Sequence, residues 1–239
     1  MRIAVLGAGY AGLALARALE SRLPKEDELV VVDERASHLV QHRLHRVIRK
    51  PSLADELEIP LATVLDRATH RQARVESVDA DGGSVSLNDG DLEYDLGAVA
   101  LGARTDYHGL EGLAEHGTPL KRLDDAERIR ADAHSLIDDG GGRIVVGGAG
   151  LSGIQVAGEL VALVEEQDAS EEIAVHLIEQ ADRVAPTFPD RFRRAVDAEL
   201  RDRGVIVETE RSVERATADT VVLSDGTGLD YGQFVWTGD

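Results

Sequence analysis

Apolar and polar positions along the chain fall into short buried-type runs separated by stretches of helical spacing. Arg2–Leu6 is an apolar run closed by glycine, which predicts a strand, and Leu13, Leu15, Ala16 and Leu19 then recur at helical intervals. Leu29–Val32 is a second run, rich in β-branched residues and ending at Asp33, so the first thirty residues read as a βαβ unit with parallel strands. Ser37–Ala68 is less regular, with Pro51 and Pro60 interrupting the pattern, and is expected to be mostly helix and loop. From Ala73 onward, Val75, Val78, Val85, Leu87 and Leu92 sit in short segments split by Asp81-Gly82-Gly83 and Asn88-Asp89-Gly90. These hairpin signals predict a small antiparallel meander. Leu96–Leu101 is a further apolar run, ending at Gly102.

The glycine-rich, polar stretch Thr105–Pro119 is the candidate boundary between two domains, 1–106 and 107–239. A helix is predicted over Leu123–Ile137, stopped by Gly140–Gly142. A strand at Arg143–Val146, a helix at Ile154–Glu166 and a strand at Ile173–Ile178 ending in Glu179 follow. Next come a helix at Arg191–Arg203, a strand at Val205–Val207, a hairpin around Asp219–Leu223 and a last strand at Phe234–Trp236. The order strand, glycines, helix, strand, acid therefore occurs twice, as an internal duplication.

Gly7-Ala8-Gly9-Tyr10-Ala11-Gly12 fits GxGxxG between a strand and a helix, with Asp33 about 20 residues further on. In that pattern Gly7 permits the tight turn, Gly9 admits a pyrophosphate close to the backbone, and Gly12 lets helix pack on strand. The helix N-terminus supplies N–H groups and positive dipole, and Asp33 accepts from an adenosine ribose. Gly148-Ala149-Gly150-Leu151-Ser152-Gly153 repeats the arrangement, with Glu179 as the acid, whose charge disfavours a 2′-phosphate and so favours NADH over NADPH. The expected fold class is α/β: two Rossmann-like dinucleotide-binding domains with parallel sheets and small antiparallel meanders. Two dinucleotides on one chain point to hydride transfer between a nicotinamide and a flavin.

Further segments resemble the two-dinucleotide-binding-domain flavoproteins, the superfamily of FAD- and NAD(P)-dependent pyridine nucleotide-disulfide oxidoreductases. Tyr94-Asp95 followed by Val99-Ala100-Leu101-Gly102-Ala103-Arg104 is similar to the strand that crosses between domains in that superfamily, with Leu101 in place of the usual Thr. Val235-Trp236-Thr237-Gly238 resembles the segment closing the nicotinamide domain, and Ala157-Gly158-Glu159-Leu160 resembles a motif of type II NADH dehydrogenases and sulfide:quinone reductases. The resemblance implies FAD at the N-terminal loop, NADH at the second, and Leu101 and Gly102 beside the flavin. It places Gln41–His45 near the isoalloxazine, with His42 as a candidate contact. It puts Gln155 where much of the family has a Glu, able to orient but not to shuttle a proton. Glu159, one turn on, would add a carboxylate or be a solvated helix acid. It also implies that the chain ends before the family's second flavin Gly-Asp motif and its dimerising or membrane-associating region. Asp239 follows Trp-Thr-Gly and is not equated with that Gly-Asp.

The absence of cysteine separates the subfamilies, because disulfide reductases and sulfide:quinone reductases both use cysteines beside the flavin. The resemblance then implies an NADH:quinone oxidoreductase, with a quinone or another small molecule as acceptor. Two alternatives stay open: a non-catalytic NAD(H)-binding or redox-sensing module, and a cysteine-free flavoprotein reductase with another acceptor. The net charge of −19, from 45 acidic and 26 basic residues, argues against nucleic acid and anionic membrane surfaces as direct partners. Its excess of carboxylate with only three lysines suggests a high-salt cytoplasm. Neither a signal-type N-terminus nor an eighteen-residue apolar run is found, so a cytoplasmic location is expected, with membrane association left to the region beyond the chain and homodimerisation left open. His38, His42 and His45 lack an HExxH pattern or a carboxylate set, so no metal site is expected. Ser152 lacks the GxSxG spacing of a nucleophile elbow, and Glu165-Glu166 and Glu171-Glu172 read as solvated ends of elements.

Overall fold

The computed structural model describes residues 1–238; Asp239 lies outside the described residues. β1 (Arg2–Leu6), α1 (Tyr10–Glu20) and the parallel strand β2 (Glu28–Asp33) form the first unit of the duplication. Both strands are buried on both faces, as parallel sheets require, which is why their sequences are continuous apolar runs. Ala4, Leu6, Val30 and Val32 pack toward Val85, Leu87 and Leu92, while Ile3, Val5, Leu29 and Val31 pack toward Ala16 and Leu61.

The irregular stretch that follows holds β3 (Ser37–Leu39), α2 (His45–Arg49), α3 (Ala54–Leu57), β4 (Glu58–Pro60) and β5 (Thr69–Gln72). Where helix and loop were expected, β3 and β4 pair antiparallel, with Pro60 at the end of its strand, where a missing N–H does least harm. The polar segment Thr69-His70-Arg71-Gln72 gives no strand signal, yet β5 pairs parallel with β2 at the sheet edge. The meander is β6 (Val75–Asp79), β7 (Ser84–Leu87) and β8 (Gly90–Glu93). β9 (Leu96–Val99) then joins β1 in parallel, giving the order β5-β2-β1-β9. As an edge strand it leaves Leu96, Val99 and the following Leu101 exposed.

The second copy is preceded by α4 (Leu113–His116) and α5 (Leu123–Asp138). It comprises β10 (Gly142–Gly147), α6 (Leu151–Glu166), β11 (Ile173–Ile178), α7 (Asp190–Asp202) and β12 (Ile206–Glu208), then the meander β13 (Val213–Ala216), β14 (Thr220–Leu223) and β15 (Gly228–Asp230), and finally β16 (Gln233–Trp236). Its parallel sheet runs β12-β11-β10-β16, the topology of the first sheet again. Under the meander, Val145, Ile178, Val213, Val221, Leu223, Phe234 and Trp236 form one core.

The chain divides into two compact units, Met1–Val40 with Asp55–Ala103, and Gln41–Ala54 with Arg104–Asp239. Residues 41–54 thus pack with the second copy. Leu44, Val47 and Ile48 are fully buried there, and Arg130 donates from Nη1 to the carbonyls of Ile48 at 2.9 Å and Arg49 at 3.1 Å. The Arg49 guanidinium donates to Glu159 at 2.7 Å and to Glu166 at 2.8 Å. Glu166 is therefore a paired helix-end acid despite its exposure.

Candidate functional site

The two glycine loops share their backbone hydrogen bonds to the neighbouring strand and their glycine dihedral angles. Gly7 donates to the Val32 carbonyl at 2.7 Å and Gly148 to that of Ile178 at 2.8 Å, which ties each turn to the C-terminal end of the neighbouring strand. Gly7 has φ +103° and Gly148 φ +93°, a region L side chains rarely adopt. A Cβ on Gly12 or on Gly153 would lie 1.8 Å from the carbonyl oxygen of Gly7 or Gly148, so helix and turn meet at backbone contact.

The middle glycines are different. Gly9 (φ −67°, ψ −171°) and Gly150 (φ −66°, ψ −175°) have conformations open to any residue, and a Cβ at either would meet nothing within 4 Å. Packing within the protein gives no reason for glycine here. A ligand brought against the backbone does. Each is also the N-cap of its helix, α1 or α6, with no side-chain capping bond and no acidic residue in the first turn. The first-turn N–H groups and the positive end of the dipole are thus left for an anion.

The acids complete each site. Asp33 accepts from the Ala8 N–H at 2.7 Å through Oδ2 and from the Arg35 N–H at 2.9 Å through Oδ1. Glu179 accepts from the Ala149 N–H at 2.7 Å through Oε2 and from the Ala181 N–H at 2.8 Å through Oε1. Every oxygen keeps acceptor capacity for a hydroxyl. Glu179 is only 6% exposed, and both of its carboxyl oxygens are held by backbone amides.

Leu101 (half exposed) and Gly102 (φ +75°) follow Ala100, whose backbone lies against Gly7 and whose Cβ approaches Gly12. Leu151 and Ser152 are exposed in the first turn of α6, so the helix starts three residues before the expected Ile154. Gln155 is half-buried on α6. Glu159, its side chain 15% exposed, is ion-paired with Arg49 rather than solvated. His42 is exposed on the short turn Gln41–Arg43. Next to it, burial lowers the pKa of His45, with Glu159 opposing the shift and Arg46, His42 and Arg43 adding to it. Among the described residues no group of three His, Asp or Glu is placed to hold a metal ion.

Sequence reasoning passed over three supports. His38 donates from Nδ1 to the Ala8 carbonyl, and Ala185 serves Ala149 in the second copy. Thr237 donates to the carbonyls of Gly147 and Gly148, both at 2.9 Å, at the position Ala100 occupies in the first copy. The turn after β12 grips Glu179. Only Thr237 lay in a motif that could have flagged it.

Known proteins resemble the chain along its whole described length. The family model described as pyridine nucleotide-disulphide oxidoreductase matches residues 1–238. Demethylphylloquinone reductase NdbB of Synechocystis sp. is 30% identical over 236 residues, covering 93% of this chain and 57% of that protein. The type II NADH:quinone oxidoreductase of Staphylococcus aureus is 27% identical, covering 98% of this chain and 63% of that protein. The structure of NDH2 from Plasmodium falciparum in complex with NADH superposes with a TM-score of 0.89 at 17% identity, over 100% of this chain and 55% of that one, which shows the fold. The chain thus spans a little over half the length of the proteins it matches. No helix among the described residues is long and apolar enough to cross a membrane.

Proposed function

Because the chain belongs to the pyridine nucleotide-disulphide oxidoreductase family, we propose that it is the dinucleotide-binding part of a type II NADH:quinone oxidoreductase, with FAD at the loop Gly7–Gly12 and NADH at the loop Gly148–Gly153. When bound, FAD supplies the hydride acceptor for NADH and the donor to a quinone. The quinone assignment is supported by the names of the Synechocystis and Staphylococcus relatives. It is also supported by the absence of cysteine from these 239 residues, so that no dithiol lies in the glycine-loop units themselves.

The chain's own residues bind and orient. First-turn amides of α1 and α6 would hold the two pyrophosphates, Gly9 and Gly150 let them approach, and Asp33 and Glu179 accept from the adenosine riboses. Glu179 also repels a 2′-phosphate, and nearby Arg183 is engaged with Asp182 and Asp190 rather than free to welcome one. Gln155 is assigned an orienting role at the nicotinamide end, since an amide holds no transferable proton near neutral pH. Glu159 is assigned to holding residues 41–54 through Arg49. The acidic surface is assigned to a high-salt cytoplasm.

The observation that carries this reading is the open space at Gly9 and Gly150. The experiment is a fluorescence titration with NADH beside a melting curve. Gly150→Ala is expected to weaken NADH binding by about tenfold or more, about 1.4 kcal/mol, with a loss of stability of about 1 kcal/mol at most. Undiminished NADH affinity in that variant overturns the assignment.

A further inference from the structure

Resting on the reading of Glu179 as the ribose acceptor for NADH, we propose that the turn Glu208–Arg211 is a positioning strap that fixes the Glu179 carboxylate for adenosine ribose recognition. Three backbone hydrogen bonds make the strap. The Glu179 N–H donates to the Glu208 carbonyl at 2.9 Å, the Arg211 N–H donates to the Glu179 carbonyl at 3.0 Å, and the Glu210 N–H donates to the Ala181 carbonyl at 2.9 Å. Both backbone groups of Glu179 are therefore held by the strap. So is Ala181, the residue whose own N–H holds the carboxylate through Oε1.

This grip needs an unusual backbone. Glu210 has φ +58°, the left-handed region that a residue with a side chain enters at a cost. The turn reverses there so that consecutive amides, those of Glu210 and Arg211, both face the Glu179–Ala181 segment. Side chains lock the turn. Glu208 accepts at Oε1 from His176 Nδ1 at 2.8 Å and at Oε2 from Arg211 Nη1 at 2.7 Å, and Arg211 Nη2 pairs with Asp225 at 2.9 Å. His176, 8% exposed, takes a 3.1 Å bond from Arg143 at Nε2, so its proton sits on Nδ1, facing Glu208. The network thus runs across β10, β11 and β12 and ends at the strap.

The first copy shows why the second needs it. Asp33 lies within the β2–β5 ladder, in register with Gln72 and with the Ala73 N–H donating to its carbonyl at 3.0 Å, whereas Glu179 follows the end of β11; no left-handed side-chain residue follows β5. Glutamate has one more rotatable bond than aspartate, so the same aim at a hydroxyl requires more external constraint.

The test compares binding of NADH with that of its 2′-deoxyadenosine analogue to the full chain, using fluorescence. The wild-type protein is expected to prefer NADH about tenfold, the worth of a hydrogen bond to a charged acceptor. Arg211→Ala and Glu210→Pro are expected to cut that preference to about twofold or less while the affinity for the deoxy analogue stays within about twofold. Glu210→Gly, which keeps the N–H and accepts positive φ, restores the preference. Should Glu210→Pro fail to fold, Arg211→Ala decides, because it leaves the backbone intact. Equal weakening of both ligands, or an undiminished preference in Arg211→Ala, overturns the strap and leaves the ribose reading standing. A wild-type protein that binds both ligands equally overturns the ribose reading and the strap with it.

Discussion

His38 donates from Nδ1 to the carbonyl oxygen of Ala8 at 2.9 Å, and this single side chain does for the first glycine loop what the Ala185 N–H does for the second at 2.8 Å. Both alanines are buried between the first two glycines, and each has its N–H committed to the acid and its C=O committed to this partner. An unpaired carbonyl at that depth costs about 1–3 kcal/mol. His38→Leu keeps the volume and removes the donor, so denaturant unfolding should show a loss of about that size. An unchanged midpoint would mean that the bond carries nothing.

The three glycines of a loop should separate by experiment. Gly12→Ala drives a Cβ into the Gly7 carbonyl at 1.8 Å, and Gly153→Ala does the same at Gly148. Either should cost about 1–3 kcal/mol or more through overpacking. Gly9→Ala meets nothing and needs no change of backbone, so its stability should fall by about 1 kcal/mol at most. Its retention of flavin, read from absorbance after gel filtration, should fall sharply. Gly9→Ala protein that keeps as much flavin as the wild type would show that no ligand lies close there.

Much of this was legible in the sequence because the decisive constraints are local. GxGxxG sits between an apolar run and a helical repeat in both copies, and the acid falls at the next strand's end; each follows from steric and dipolar needs of a few neighbouring residues. What escaped was set by distant parts of the chain. β5 is polar and is a strand only because β2 offers it an edge. Residues 41–54 read as an irregular appendage of the first half, yet Leu44, Val47 and Ile48 are buried with the second unit. Glu159 read either as a carboxylate near the cofactors or as a solvated helix acid, and its partner Arg49 is 110 residues away in the chain.

That pairing makes Arg49 a sensitive position. It bonds Glu159 and Glu166 together, and those carboxylates raise its pKa through side-chain hydrogen bonds. Arg49→Met leaves a carboxylate that is 15% exposed without its cation. Because the site is partly solvated, the expected loss is about 1–2 kcal/mol, between the values for exposed and buried pairs. Double substitution with Glu159→Gln should recover part of it. A fully additive double-mutant cycle would show that the pair is not coupled.

His45 should give the second unit an acid-side weakness. Burial depresses its pKa in the folded protein, outweighing the opposing pull of Glu159. Above about pH 6.5 the ring is neutral in both states and contributes no slope. As pH falls below that value the unfolded chain binds the proton first, so stability declines until the folded-state pKa is passed. His45→Gln should therefore reduce the loss of stability between pH 7 and pH 5. Part of the slope should remain, because burial also lowers the pKa of His134. Equal losses in variant and wild type would remove His45 from the account.

Salt should stabilise this protein, and the sign follows from a competition. Exposed helix pairs such as Arg201–Asp197, Arg203–Glu199 and Arg128–Asp132 are weakened by screening, each by no more than about 0.3–0.5 kcal/mol. Against them stands the mutual repulsion of a chain with 45 acidic and 26 basic residues. At about 0.01 M salt the screening length is about 30 Å, comparable to the size of a domain, so like charges act across a whole unit; at about 1 M it is about 3 Å and that repulsion is gone. Relief of many long-range repulsions outweighs loss of a few short attractions, so the melting temperature should climb from millimolar to molar KCl. Equal melting at both ends of that range would sink the high-salt reading of the acidic surface.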